Sequence, residues 1–95
     1  MKAFSVYILE CADGSYYTGY AADVSARFAC HLSGKGAKYT RSHRPLRIVY
    51  QEVLANKSEA MHREWVIKQM TRGQKEQLIQ GGDDHLGAEK FSRDE

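Results

Sequence analysis

No acidic residue lies between Asp23 and Glu52. That window holds Arg27, Lys35, Lys38, Arg41, Arg44 and Arg47, together with His31 and His43. A surface of one sign attracts polyanions, and nucleic acid is the most common of them. The plainer reading is a solvated basic loop. Cysteine is scarce too: Cys11 and Cys30 are the only two, and no C-x-x-C occurs. The usual zinc spacings are therefore excluded. Counting alone leaves a disulfide between them open. The start, "MKAFSVYILECAD", has a short apolar run that meets Glu10 and Asp13 at once. It does not read as a signal peptide. No stretch approaches the length of a transmembrane helix. The expectation is a reducing, cytoplasmic compartment, two free thiols and no membrane partner.

What is present suits one domain. Ninety-five residues can bury a modest single core without metal or disulfides. The net charge of +2 hides an asymmetry. Residues 83–95, "DDHLGAEKFSRDE", carry net −3, and residues 1–82 carry net +5. The expected division is a single domain over 1–82 and a flexible acidic tail over 83–95.

The chain reads as six elements without repeats. "FSVYILEC" alternates Phe4, Val6 and Ile8 with Ser5, Tyr7 and Leu9, as a strand covered on both faces does. Asp13-Gly14 signals a hairpin, and "SYYTGYA" returns as the antiparallel partner. Gly19 within it predicts a bulge or a close approach by another group. Asp23 can cap a helix in which Val24, Phe28 and Leu32 form the buried stripe, with Gly34 as its stop. "LRIVYQEV" is a third strand after Pro45. "KSEAMHREWVIKQM" is a second helix with Ser58 as its expected N-cap. Thr71 and Gln74 fit a capping box for a third helix, "RGQKEQLIQ". The order β-β-α-β-α-α defines an α+β domain: a small three-stranded antiparallel sheet flanked by helices.

Polar residues then gather. Arg27 and His31 stand four apart and share a helix face bordering the core. Tyr7 and Tyr17 lie in adjacent strands. Glu64 neighbours Met61 and Trp65 on its helical wheel, with Lys68 one turn on. Taken singly, each has an ordinary explanation. Glu64 and Lys68 are spaced for a surface ion pair. Arg27 can lie over Phe28, tyrosines favour strands, and His31 suits a helix C-terminus. Other motifs fail. "GKGAKYT" lacks P-loop spacing, no cysteine follows Cys30 to complete a deaminase zinc site, and no G-x-S-x-G elbow exists.

The ordered combination resembles the GIY-YIG nucleases. Their two namesake motifs correspond to Val6-Tyr7-Ile8 and Tyr17-Thr18-Gly19, with Val6 in place of a glycine and Thr18 in place of an isoleucine. Arg27, His31 and Glu64 match the arginine, histidine and glutamate that follow. "YILECADGSYYTGYAADV", "SGKGAKYT" and "VIKQMTRGQKEQLI" resemble the small stand-alone bacterial members most. The resemblance spans residues 4–80. Larger members add an asparagine near the domain's end, and Asn56 is the only one here.

The resemblance implies a metal-dependent endonuclease acting on nucleic acid, most simply DNA, without an organic cofactor. Glu64 would hold a single Mg²⁺ or Mn²⁺, completed by waters and phosphate. Tyr7 would help deprotonate the attacking water, given a pKa lowered by Arg27 and the metal. Tyr17 would hydrogen-bond the scissile phosphate, Arg27 would offer it a planar fork, and His31 would assist proton transfer. Lys35, Lys38, Arg41, Arg44 and Lys68 would contact nucleic acid, with a monomer expected. The alternative is a nucleic-acid-binding module of the same fold that cleaves weakly or not at all.

Overall fold

The structure, a computed structural model, describes residues 3–81. The expected acidic tail, 83–95, lies outside them. β1 (Phe4–Cys11) and β2 (Tyr16–Ala21) form the hairpin, turning through Asp13-Gly14 with Gly14 at φ +86°. β3 (Pro45–Leu54) pairs antiparallel with β1 on its other side, so the order is β2-β1-β3 and β1 is central. Pro45 opens β3, the position where a missing N–H costs a strand least.

The central strand is buried on both faces. Val6 and Ile8 point to one side, where they pack with Tyr50, Ala60 and Ile67. Tyr7 and Leu9 point to the other, where they meet Val24. α1 (Val24–Leu32) covers the Tyr7 face; α3 (Lys57–Lys68) covers the Val6 face, where Leu78 and Ile79 of α4 (Arg72–Gln80) also pack. The α+β architecture is thus the expected one. Within the connection that follows α1, the single-turn helix α2 (Lys38–Ser42) was not anticipated, because five residues carry no readable period.

The helix starts follow capping chemistry. Asp23 accepts from the Ala26 N–H, and Thr71 with Gln74 makes the full capping box. The cap of α3 is Asn56, which accepts from the Glu59 N–H at 2.9 Å, and not Ser58. An amide oxygen caps as well as a hydroxyl, so spacing to the first apolar residue could not choose between them. Thr18, standing where the family motif has isoleucine, faces the Val6 side; its buried hydroxyl has no partner among the described residues.

The stripe of α1 departs from expectation. Val24 is buried and Phe28 half-buried, but Leu32 is 53% exposed. His31 takes the inner place at 1% exposure. The stripe therefore runs 24, 28, 31, an equally regular helical spacing, and Arg27 stays exposed at its rim. Both cysteines are free, as expected. No helix among the described residues is long and apolar enough to cross a membrane.

Candidate active site

The register sets Tyr7 opposite Gly19 and Leu9 opposite Tyr17. Tyr7 and Tyr17 are then diagonal neighbours on the α1 side, with ring centroids 6.5 Å apart. Gly19 is the close approach its sequence position predicted. A Cβ there would lie 2.6 Å from the Tyr7 hydroxyl and 2.8 Å from Cζ. The Tyr7 ring occupies the space that any other residue at 19 would fill.

His31 meets both phenols. Its ring centre is 6.0 Å from that of Tyr7 and 5.1 Å from that of Tyr17, edge-on in each case. The Tyr7 hydroxyl lies 2.9 Å from Nε2, and Nδ1 lies 2.7 Å from Thr40 Oγ1. Thr40 in turn donates to the Ala37 carbonyl at 3.0 Å. With its proton committed there, Oγ1 accepts from Nδ1–H. Nε2 is left with its lone pair, and Tyr7 donates to it. Gly36 makes room for this arrangement: a Cβ would fall 2.8 Å from the imidazole Cγ and nearer still to Nδ1. Thr40 and Gly36 were missed by sequence reasoning. Their signal lay in "SGKGAKYT", visible as a basic glycine-rich segment but mute about contact with His31.

Glu64 sits with Ala60 and Ile67 at i, i+4 and i+7 of the sheet-facing stripe of α3, and its side chain is only 19% exposed. Met61 and Trp65 point outward, Trp65 with 60% of its surface exposed. The helix thus presents a carboxylate inward and its largest aromatic outward, the reverse of what burial prefers. The Glu64 charge reaches both phenols and opposes their ionisation. Lys68 Nζ is 3.5 Å from Glu64, so the plain ion pair is also made. Lys68, whose side chain is 48% exposed, thus neighbours the carboxylate.

The electrostatics correct one expectation. The Tyr7 pKa is pushed up to about 12, first by burial and then by Tyr17; Arg27 pulls it down by less. Tyr17 is raised as well, by burial and then Glu64. Arg27 does lower the Tyr7 pKa, as expected, but burial of the phenol outweighs it. His31 is shifted below its ordinary value by burial and then by Arg27, so it is neutral and free to accept a proton at Nε2.

Among the described residues no group of three His, Cys, Asp or Glu side chains could enclose a metal. A lone carboxylate suits a hard divalent ion that keeps its waters and takes the rest of its shell from phosphate. Glu64 fits that role with substrate bound. Asn56, capping α3, is engaged as a helix cap. Lys35, Lys38, Arg41 and Arg44 are all exposed along the α1–α2–β3 connection, beside the His31 side of the site. Tyr39 stacks between Tyr17, at 5.9 Å, and His43, at 3.9 Å, carrying an aromatic row outward from the site.

Two paired strands, a histidine helix and an inward glutamate on one small sheet are the features of a GIY-YIG domain. A model of the GIY-YIG catalytic domain matches residues 3–77, and the chain belongs to that family. Its near relatives are small stand-alone proteins whose designation states no activity. It is 58% identical to UPF0213 protein SERP0126 of Staphylococcus epidermidis over 82 residues, 86% of this chain and all of that one. It is 54% identical to a UPF0213 protein of Staphylococcus aureus, over 83% of this chain and 96% of that one. Two solution structures are similar. UPF0213 protein BH0048 of Bacillus halodurans is 51% identical, with a TM-score of 0.53 over 82% of this chain and 83% of that one. EF2693 of E. faecalis is 37% identical, with a TM-score of 0.62 over 98% and 97%. GIY-YIG nucleases generally use a divalent metal ion, and their domain points to a nucleic acid substrate.

Proposed function

We propose that this chain hydrolyses phosphodiester bonds in DNA with the help of Mg²⁺ or Mn²⁺. The observation that carries this reading is the relay from Tyr7 to His31 to Thr40, with Tyr17 against Tyr7 and the charges of Arg27 and Glu64 both felt by the Tyr7 phenol. The relay answers the difficulty of a phenol with a pKa of about 12. Tyr7 is no free-standing base. As it takes a proton from the attacking water, it passes its own to Nε2 of neutral His31. The hydroxide oxygen then bonds to phosphorus and one ester oxygen leaves. Arg27 and the Tyr17 hydroxyl hold the phosphoryl oxygens as their charge develops. A divalent cation bound at Glu64 would offset the charge on the phosphate and the departing oxygen.

Two observations favour a binding module without cleavage as the second reading. Tyr7 is 1% exposed, and Glu64 already holds Lys68. One experiment separates the two. Purified protein is incubated with duplex, branched and single-stranded DNA, with Mg²⁺, with Mn²⁺ and with chelator. The nuclease reading expects metal-dependent cleavage that Glu64→Gln abolishes while DNA binding persists. No cleavage by wild type on any substrate selects the binding module. Cleavage that survives Glu64→Gln rejects the site.

A further inference from the structure

Behind His31, on its Thr40 side, α1 and α2 border an open surface pocket of about 510 Å³. His31 and Thr40 form its inner wall, Leu32 and Pro45 its apolar sides, and Arg41 and Arg44 its cationic ones. The volume is that of a site for a small organic group. Leu32 explains itself poorly as a surface residue, being 53% exposed at the end of α1 and lining this space. Among the described residues neither arginine is in an ion pair. Both lie in the window without acids. The pocket thus combines an apolar surface, two uncommitted guanidinium groups and a wall shared with the candidate relay.

We propose that this pocket receives one unstacked nucleotide adjoining the phosphate held by Arg27 and Tyr17, so that the preferred substrate is DNA with an unpaired nucleotide. The proposal rests on the nuclease reading above. A guanidinium fork holds phosphate oxygens in pairs, and its plane stacks on a base. An apolar side chain such as Leu32 meets the flat face of a base, which neighbouring bases cover in an intact duplex. Extruding a paired base costs a few kcal/mol, and least where the base is already unpaired. A pocket that rewards extrusion therefore discriminates for bulges, flaps and junctions over continuous duplex.

The test reads binding and not cleavage. Full-length protein in chelator is titrated with two otherwise identical duplexes, one with a single-nucleotide bulge of 2-aminopurine, one fully paired. The bulged duplex should bind about tenfold tighter, with a change in 2-aminopurine emission. Leu32→Ser, with unchanged melting temperature, and the double variant Arg41→Gln with Arg44→Gln should each shrink that ratio. Equal binding of the two duplexes by wild type overturns the proposal and leaves the nuclease reading intact. A ratio that survives in both variants also overturns it, since the preference then arises elsewhere. Failure to bind either DNA rejects the nuclease reading and this inference together.

Discussion

Each face of the sheet carries a buried phenol with a pKa near 12, and the two are wired differently. On the α3 side, Tyr50 donates to Glu52 at 2.8 Å, and the same carboxylate oxygen takes a 2.9 Å bond from Arg63. On the α1 side, Tyr7 donates to neutral His31 at 2.9 Å. Burial is the first cause of the raised pKa in both. The Tyr50 network is closed: its acceptor is ion-paired and, among the described residues, no relay leads onward from it. The Tyr7 network is open, because its acceptor is a neutral imidazole without an ion pair, whose other nitrogen leads on to Thr40. Similar burial and similar bond lengths therefore serve structure on one face and, in the function proposed above, proton transfer on the other. The difference lies in the acceptor.

Removing the acceptor breaks the comparison most strongly. His31→Ala should lower metal-dependent cleavage by about 10²–10⁴-fold while DNA affinity stays within a few-fold. Rates and anisotropy measured on the same preparation check it. The pH profile sharpens the point. Because the folded pKa of His31 lies below the ordinary 6.5, the unfolded chain binds that proton more readily. Stability should decline as the pH falls below 6.5, and cleavage as it falls further, through the lowered folded value. The phenols work in the opposite direction. With folded pKa values of about 12 against 10.0, their contribution is whole below pH 10 and is lost as pH rises toward 12. Thermal melts across the alkaline range should show that loss, and Tyr50→Phe should reduce it.

On the closed face the effect should fall on stability. Arg63→Met should cost about 1–2 kcal/mol by denaturant titration, the low end for a charged hydrogen bond, because both partners are part-exposed. Cleavage per folded molecule should not change. A rate loss there would mean that the two faces are coupled.

Thr40→Val tests the tautomer. It removes the acceptor that holds Nδ1–H while keeping the side chain's bulk. The hydrogen bond lost is worth about 1 kcal/mol, and cleavage should fall about tenfold with a displaced acid limb. Thr40→Ser should restore both, which a purely structural threonine would not require. The smallest effect belongs to the loop. Lys35→Ala with Lys38→Ala should flatten log Kd against log salt by about 1.8 on duplex DNA, weakening all sequences alike.

Much of this was legible before any coordinates. Hydrophobic period and capping chemistry are local, so the strands, the Asp23 and Thr71 caps and the order of elements could be read from neighbouring residues. The motif tyrosines, Arg27, His31 and Glu64 were legible for a different reason, as an ordered series matching a family. Three things were not. Val24-Phe28-Leu32 and Val24-Phe28-His31 are both good helical stripes, and only packing against Tyr7 and Thr40 chose the second. Glu64 and Trp65 are consecutive and stand about 100° apart on the helix, and only the seating of α3 turned one inward and the other out. The pKa of Tyr7 depends on how much water its ring loses against how near Arg27 comes, a balance of distances that spacing along the chain does not encode. Sequence by itself determined which groups the molecule owns and which elements carry them. Tertiary structure decided which nitrogen of His31 faces which oxygen, because a hydrogen bond across 24 residues is set by the fold that closes the loop between them.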